Sequence, residues 1–210
     1  MLDLFDLLAN KVGTPSEYRQ IFRKLVKAED LSILLAVAQK PLSAQAVAQQ
    51  LGRAEPEAAR KLEALWKHGL VEKTDGSYRA SSFTNIVHNR LRYSSLRGLT
   101  PREVEKLRDH DLTSRFQRYD KNLKDKRIPT SSKVIPVEQA IEAKQWIIPT
   151  AKAIEILREA RSFAFTDCGC RLAFRRCSNP VDTCLLIGKY ADLNVQKGLA
   201  RRISLQEAEQ

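Results

Sequence analysis

Residues 31–80, LSILLAVAQKPLSAQAVAQQLGRAEPEAARKLEALWKHGLVEKTDGSYRA, decide the fold of the first half of this 210-residue chain. Apolar residues recur every three or four positions in three successive segments, which is the spacing of amphipathic helices. The first helix stops before Pro41, and Ser43 is a favourable N-cap for a second helix that Gly52 closes. The third helix has Pro56 in its first turn and ends at Gly69.

Two short strands follow these helices and are joined by the dipeptide Asp75-Gly76, which is typical of a tight hairpin turn. Three helices followed by a hairpin resemble the winged helix-turn-helix, in which the third helix enters the DNA major groove. The sequence therefore predicts a mainly α protein. In this prediction, a winged helix-turn-helix is followed by a helical linker and by a small α-rich domain that contains the cysteines.

The predicted organisation has four segments: an amphipathic N-terminal helix (1–14), a winged-helix domain (15–94), a basic helical linker (95–133) and a cysteine-containing domain (134–210). Within the linker, Thr100 and Glu103 have the spacing of a helix capping box. We expect the linker aromatics Phe116 and Tyr119 to pack on the core.

The composition is that of an ordinary globular protein, with 43% hydrophobic and 29% charged residues. The longest apolar run, residues 33–38, is too short to cross a bilayer, so we expect no membrane association. Asp3 and Asp6 occupy the positions where a secretory signal would carry basic residues. These features predict a cytoplasmic location.

The formal net charge is +11, and residues 83–133 contribute most of it, with 13 basic and six acidic side chains. Such an excess favours a polyanionic partner, most often a nucleic acid. Against DNA, Glu55 and Glu57 begin the third helix, and winged helices also serve as protein-docking modules. Both kinds of partner therefore stay open. The candidate DNA contacts are Arg53, Arg60, Lys61, Lys67, Lys73 and Arg79.

A homodimer is expected because paired winged helices read two half-sites on DNA. The helix within residues 1–12 is the candidate interface.

All four cysteines lie in one short segment, residues 167–185, DCGCRLAFRRCSNPVDTCL. A reducing cytoplasm disfavours structural disulfides. A catalytic cysteine usually requires a histidine partner, yet all three histidines are remote in sequence, and no nucleotide-binding or hydrolase motif occurs. The chain is therefore not predicted to be an enzyme. The candidate metal ligands are Cys168, Cys170, Cys177 and Cys184.

Their spacing favours an iron–sulfur cluster over zinc. Structural zinc usually takes its thiolates from C-x2-C pairs, whereas one intervening residue suits two iron atoms at different corners of a cluster. The arginines Arg171, Arg175 and Arg176 would offset the negative charge of such a cluster, and Cys184 is predicted in the first turn of a helix. Zinc and redox-active thiols stay as alternatives.

The region from residue 133 to residue 208 resembles a group of bacterial and archaeal iron–sulfur-binding proteins, many of which also carry an N-terminal winged helix. The shared text is VIPV (134–137), CGCR (168–171), Cys177, Pro180, CL (184–185) and GLARRISLQEA (198–208). The resemblance implies a [4Fe–4S] cluster held by the four cysteines. Many members also have a C-x2-C-x2-C-x3-C run for further clusters, which this sequence lacks.

These features together predict a redox- or gas-responsive transcriptional regulator that binds DNA and carries one cluster. The alternative is an electron-transfer or accessory [4Fe–4S] protein whose winged helix docks a redox partner protein.

Overall fold

The computed structural model describes residues 3–93, 96, 98–124, 150–174, 178, 180–181 and 184–209. The chain divides into two compact units, the first comprising residues 1–114 and 172–175, and the second residues 115–171 and 176–210. The described residues are mainly helical with two small sheets, which agrees with the predicted class.

The N-terminal part of the chain alternates helices with three short strands. Its elements are α1 (Leu4–Lys11), α2 (Arg19–Leu25), α3 (Leu31–Gln39), β1 (Leu42–Ser43), α4 (Ala44–Leu51), α5 (Glu55–Lys67), β2 (Val71–Thr74), β3 (Ser77–Ala80), α6 (Phe83–Tyr93) and α7 (Pro101–Lys124).

The local signals in residues 31–80 act as predicted. The Ser43 hydroxyl accepts a hydrogen bond of 3.2 Å from the backbone N–H of Ala46 at the start of α4. Gly52 ends this helix with a φ of 62°, a left-handed conformation that glycine adopts without steric cost. Asp75 and Gly76 both have positive φ in the turn between β2 and β3, as this hairpin requires.

The first sheet has the strand order β1-β3-β2 and is antiparallel throughout. Strand β1 was not predicted, because two residues are too few to show an alternating pattern. It pairs Leu42 with Tyr78 and Ser43 with Ser77, so the segment before α4 is fixed to the hairpin.

Large side chains fill the core of the first unit. Phe22, Ile33, Val37 and Leu62 have essentially no exposed surface. Helix α1 packs on α3 and contributes Leu8 to this core.

Helix α7 begins with the predicted capping box. The backbone N–H of Thr100 donates to the Glu103 carboxylate at 2.8 Å, and the N–H of Glu103 donates to the Thr100 hydroxyl at 3.3 Å. Residues 101–124 of the predicted linker are therefore helical, and residues 125–149 lie outside the described part. Phe116 on this helix exposes 66% of its surface, so the prediction that this aromatic packs on the core is wrong.

The C-terminal part of the chain contains a second antiparallel sheet, of order β5-β4-β6. Its small core is formed by Ala164, Leu186 and Ala191. The elements are α8 (Thr150–Glu159), β4 (Phe163–Thr166), α9 (Gly169–Phe174), β5 (Cys184–Ile187), α10 (Gly188–Gln196), β6 (Arg201–Ile203) and α11 (Leu205–Ala208).

This sheet was not predicted, and it corrects one expectation. Cys184 begins a strand rather than a helix. The run Cys184–Ile187 is continuously apolar, so its periodicity does not distinguish a strand from a buried helix. Pairing with β4 stabilises the strand conformation of this run, and the helix starts only at Gly188.

Membrane-spanning helices were searched for over the same described residues. None of the helices there combines the length and the apolar character needed to cross a bilayer.

Candidate functional site

Three of the four cysteines lie around one end of the second sheet. Cys168 is in the connection between β4 and α9, Cys170 is in the first turn of α9, and Cys184 is the first residue of β5. Cys168 and Cys184 are partly buried and Cys170 is exposed. Cys177 lies outside the described residues.

The strand register brings together cysteines that are distant in sequence. Thr166, the last residue of β4, is directly opposite Cys184 in the antiparallel ladder. Two residues after Thr166, the backbone N–H of Cys168 donates to the carbonyl oxygen of Val181 at 2.5 Å. The first and last cysteines of the motif are therefore held at the same end of the sheet by backbone hydrogen bonds.

The described cysteines come from three separate segments: a strand end, a loop and a short helix. Gly169 lies between Cys168 and Cys170. Within the described residues, no group of three or more His, Cys, Asp or Glu side chains is arranged to hold a metal ion. Because Cys177 is not among those residues, the four-cysteine ligand set stays a prediction.

Arg171 has a definite structural contact. Its guanidinium donates to the carbonyl oxygen of Pro180, which joins the start of α9 to the segment before β5. This contact closes the cysteine loop and keeps a positive charge beside it. The other two predicted counter-charges, Arg175 and Arg176, lie outside the described residues.

Three of the six candidate DNA contacts are engaged in ion pairs. Arg53 pairs with Glu57 at 3.2 Å, and Lys61 pairs with Glu29 at 3.0 Å and with Asp30 at 3.2 Å. The hydrogen bonds to Glu29 and Asp30 raise the pKa of Lys61. Lys61 thus pairs with a buried carboxylate, that of Asp30.

Lys73 is the third engaged residue. Its ammonium bonds to the Glu63 carboxylate and lies 5.4 Å from the ring centroids of both Trp66 and Tyr78. The Tyr78 hydroxyl donates to the same carboxylate at 2.5 Å. Burial raises the pKa of Glu63, but the bonds from Lys73 and Tyr78 outweigh it, and the pKa lies below its usual range. This cluster fastens the hairpin to α5.

Arg60, Lys67 and Arg79 differ from the other three candidates. All three are exposed, and none forms an ion pair with any residue that the structure describes. Arg60 and Lys67 are on α5, and Arg79 is on β3. Their charges are therefore available to a polyanion. The acidic residue Glu55 is also exposed at the start of α5, whereas Arg53 neutralises Glu57.

A contact between a buried carboxylate on α7 and a histidine on α6 was not predicted. Asp111 is 1% exposed, and its carboxylate lies 3.0 Å from the Nδ1 atom of His88. His110 packs between the rings of Tyr18 and Phe83, with both centroids 5.0 Å away, and burial lowers its pKa. Only the spacing of an acid and a histidine on adjacent predicted helices could have indicated such a pair.

Comparisons of the chain with protein-family models, with curated proteins and with solved structures found no match.

Proposed function

We propose that the protein is a cytoplasmic iron–sulfur transcriptional regulator in which a winged-helix domain binds DNA and a [4Fe–4S] cluster reports redox state or a reactive gas. The DNA-binding part of this proposal is supported by three exposed basic residues on α5 and β3, which are Arg60, Lys67 and Arg79. The order α3-β1-α4-α5-β2-β3, with β1 paired to β3, supports a winged helix with α5 as its recognition helix.

The cluster half of the proposal rests on the strand register at Thr166 and Cys184. Cys168, Cys170 and Cys184, with Cys177, would hold the cluster, and Arg171 would place a positive charge beside it. When bound, the cluster would supply a one-electron redox centre that reacts with oxygen or nitric oxide. Zinc on the same thiolates is the competing occupant.

The metal is tested by anaerobic purification, iron and sulfide analysis and a visible spectrum. We expect four iron and four sulfide per chain, as the formula of the cluster requires. A colourless protein that holds one zinc would contradict the cluster without affecting the DNA half of the proposal.

DNA binding is tested by measuring affinity for random and promoter DNA at several salt concentrations, with cluster-loaded and apo protein. Each phosphate contact adds about 0.9 to the slope of log affinity against log salt. Replacing Arg60, Lys67 and Arg79 together by alanine is expected to lower the slope by roughly 3. The matched control replaces Arg53, Lys61 and Lys73, for which we expect a smaller change of slope and a larger loss of stability.

Equal and negligible affinity of loaded and apo protein at low salt would overturn this proposal. It would favour a second candidate, an electron-transfer or accessory protein whose winged helix docks a redox enzyme. The exposed carboxylate of Glu55 at the start of α5 is the observation in its favour, because it would oppose a phosphate there. That candidate predicts reversible one-electron reduction of the cluster and co-purification with a partner enzyme.

A further inference from the structure

The hairpin of β2 and β3 has two different faces. Lys73 and Tyr78 are directly opposite each other on the face turned toward α5, where both side chains bond to the Glu63 carboxylate. Glu72 and Arg79 form the neighbouring opposite pair, and because side chains alternate along a strand they lie on the other face. Both are exposed, and Arg79 is one of the three basic residues proposed to contact DNA.

Glu72 and Arg79 occupy the positions of a cross-strand ion pair. Directly opposite residues of an antiparallel ladder have Cβ atoms about 4.5–5.5 Å apart, and opposite charges at such positions attract each other. An ion pair here would neutralise the charge that Arg79 offers to a phosphate. Arg79 nevertheless forms no ion pair with Glu72 or with any other residue that the structure describes.

The Glu72 carboxylate is instead bonded to helix α6. Its Oε1 atom accepts a hydrogen bond of 2.8 Å from the Nδ2 atom of Asn85, which lies in the first turn of that helix and is partly buried. The backbone N–H of Asn85 donates to the Ser82 hydroxyl at 3.3 Å, so the residue that donates to Glu72 is itself held in place. The amide of Asn85 is neutral, and it therefore orients the carboxylate without adding a charge.

The other acids close to the hairpin are placed differently. Asp75 lies in the turn, beyond the two residue pairs that follow Glu72 and Arg79 in the ladder. Glu63 is bonded to Lys73 on the opposite face. Of these three carboxylates, that of Glu72 is therefore the one placed to compete with a phosphate for Arg79.

We infer that Asn85 is a positioning residue for DNA binding, which holds the Glu72 carboxylate away from Arg79 and so keeps the Arg79 guanidinium available to a phosphate. The inference rests on the proposed function, because it explains how one of the proposed DNA contacts keeps its charge. Without the Asn85 amide, Glu72 pairs with Arg79, and a phosphate must then displace that ion pair. Exposed ion pairs are weak, so we expect about a two- to fivefold loss of DNA affinity.

The test measures the affinity of the full chain for random-sequence duplex DNA at low salt concentration. Asn85→Ala is made in three backgrounds, which are the wild type, Glu72→Gln and Arg79→Ala. In the wild-type background it is expected to weaken DNA binding about two- to fivefold. In the other two backgrounds it is expected to leave the affinity unchanged, because either the competing carboxylate or the guanidinium is already absent.

The two backgrounds separate this positioning role from a purely structural one. A structural role of Asn85 at the start of α6 would lower DNA affinity by the same factor in all three backgrounds. Melting temperatures show whether each variant is folded. Asn85→Ser also shortens the side chain, and it replaces Asn85→Ala with the same expected result if the alanine variant unfolds.

Two results would overturn the inference while the proposed function stands. The first is wild-type DNA binding that Asn85→Ala leaves unchanged. The second is a loss of affinity of equal size in all three backgrounds. Negligible DNA affinity of the wild type at low salt would overturn the DNA-binding function and this inference together, so the two failures are distinguished by the wild-type measurement alone.

Discussion

The two three-stranded sheets of this protein have similar size and antiparallel pairing, but they are stabilised differently. The sheet β1-β3-β2 contributes Val71 and Tyr78 to a core that also contains Phe22, Ile33 and Leu62. The sheet β5-β4-β6 covers a core of Ala164, Leu186 and Ala191. Because the hydrophobic contribution scales with the apolar area buried, the first sheet gains far more from burial than the second.

Polar contacts also join the elements around the second sheet. The buried Thr166 hydroxyl donates to the carbonyl oxygen of Leu199 at 2.6 Å, and Arg202 pairs with Asp192 at 2.7 Å. The hydrogen bond between Arg202 and Asp192 lowers the pKa of that carboxylate. If a cluster joins the cysteines at the end of this sheet, its binding free energy adds to folding free energy. The comparison therefore predicts that the second unit depends on its metal and the first does not.

The largest expected effect is that of Cys184→Ser. We expect loss of bound iron and loss of hydrogen-exchange protection in β4, β5 and α10, because a ligand and a strand end are lost together. Protection in α3 and α5 should not change. Peptide-resolved hydrogen exchange and iron analysis measure both outcomes, with the exposed Ser178→Ala as control. Full iron content with unchanged hydrogen-exchange protection would refute the dependence of the second unit on its metal.

The next largest effect is expected on the free energy of unfolding when one leucine is truncated in each of the two cores. Leu62→Ala removes a fully buried side chain and is expected to cost about 2–5 kcal/mol of the free energy of unfolding of the first unit. Leu186→Ala, from the smaller core, is expected near the lower end of this range and only in the second unit. Urea denaturation with hydrogen exchange separates the units. Equal losses in both units from either variant would contradict two separate cores.

A smaller effect distinguishes two serine N-caps. Ser43→Ala is expected to cost about 1 kcal/mol, because α4 packs on α5 and its fraying disturbs the core. Ser204→Ala removes the hydrogen bond of 3.1 Å to the N–H of Glu207, but α11 has only four residues. We expect only local fraying there, seen as faster hydrogen exchange in α11 without a shift in the melting temperature.

The smallest effect concerns the pH dependence of the hairpin cluster. Because the folded-state pKa of Glu63 is lowered, its ionised form contributes stability at neutral pH, and this contribution is lost as the pH falls below about 4. Glu63→Gln should therefore be less stable than the wild type at pH 7, and the difference should shrink in acid. Melting temperatures measured between pH 7 and pH 3 test this. A difference that is independent of pH would assign the effect to packing.

Much of the first unit was predictable because its signals are local. Ser43, Gly52 and the Asp75-Gly76 turn act within a few residues of their own positions, so their conformational preferences are visible in the sequence. Strand β1 and the engagement of Lys61 with Asp30 were not predictable, since each depends on a partner from a distant segment. The same holds for Cys184, whose strand conformation follows from its pairing with Thr166.

The sequence by itself determined the helices α3, α4 and α5, the hairpin turn, the capping box of α7 and the set of cysteines that could bind a metal. These follow from side-chain periodicity, backbone preference and thiol chemistry, which are properties of short segments. Only the tertiary structure decided which basic residues are accessible, that the second unit is built on a sheet, and that Phe116 is exposed to solvent. Those outcomes depend on which distant groups meet, and long-range contacts are set by the packing of the whole unit.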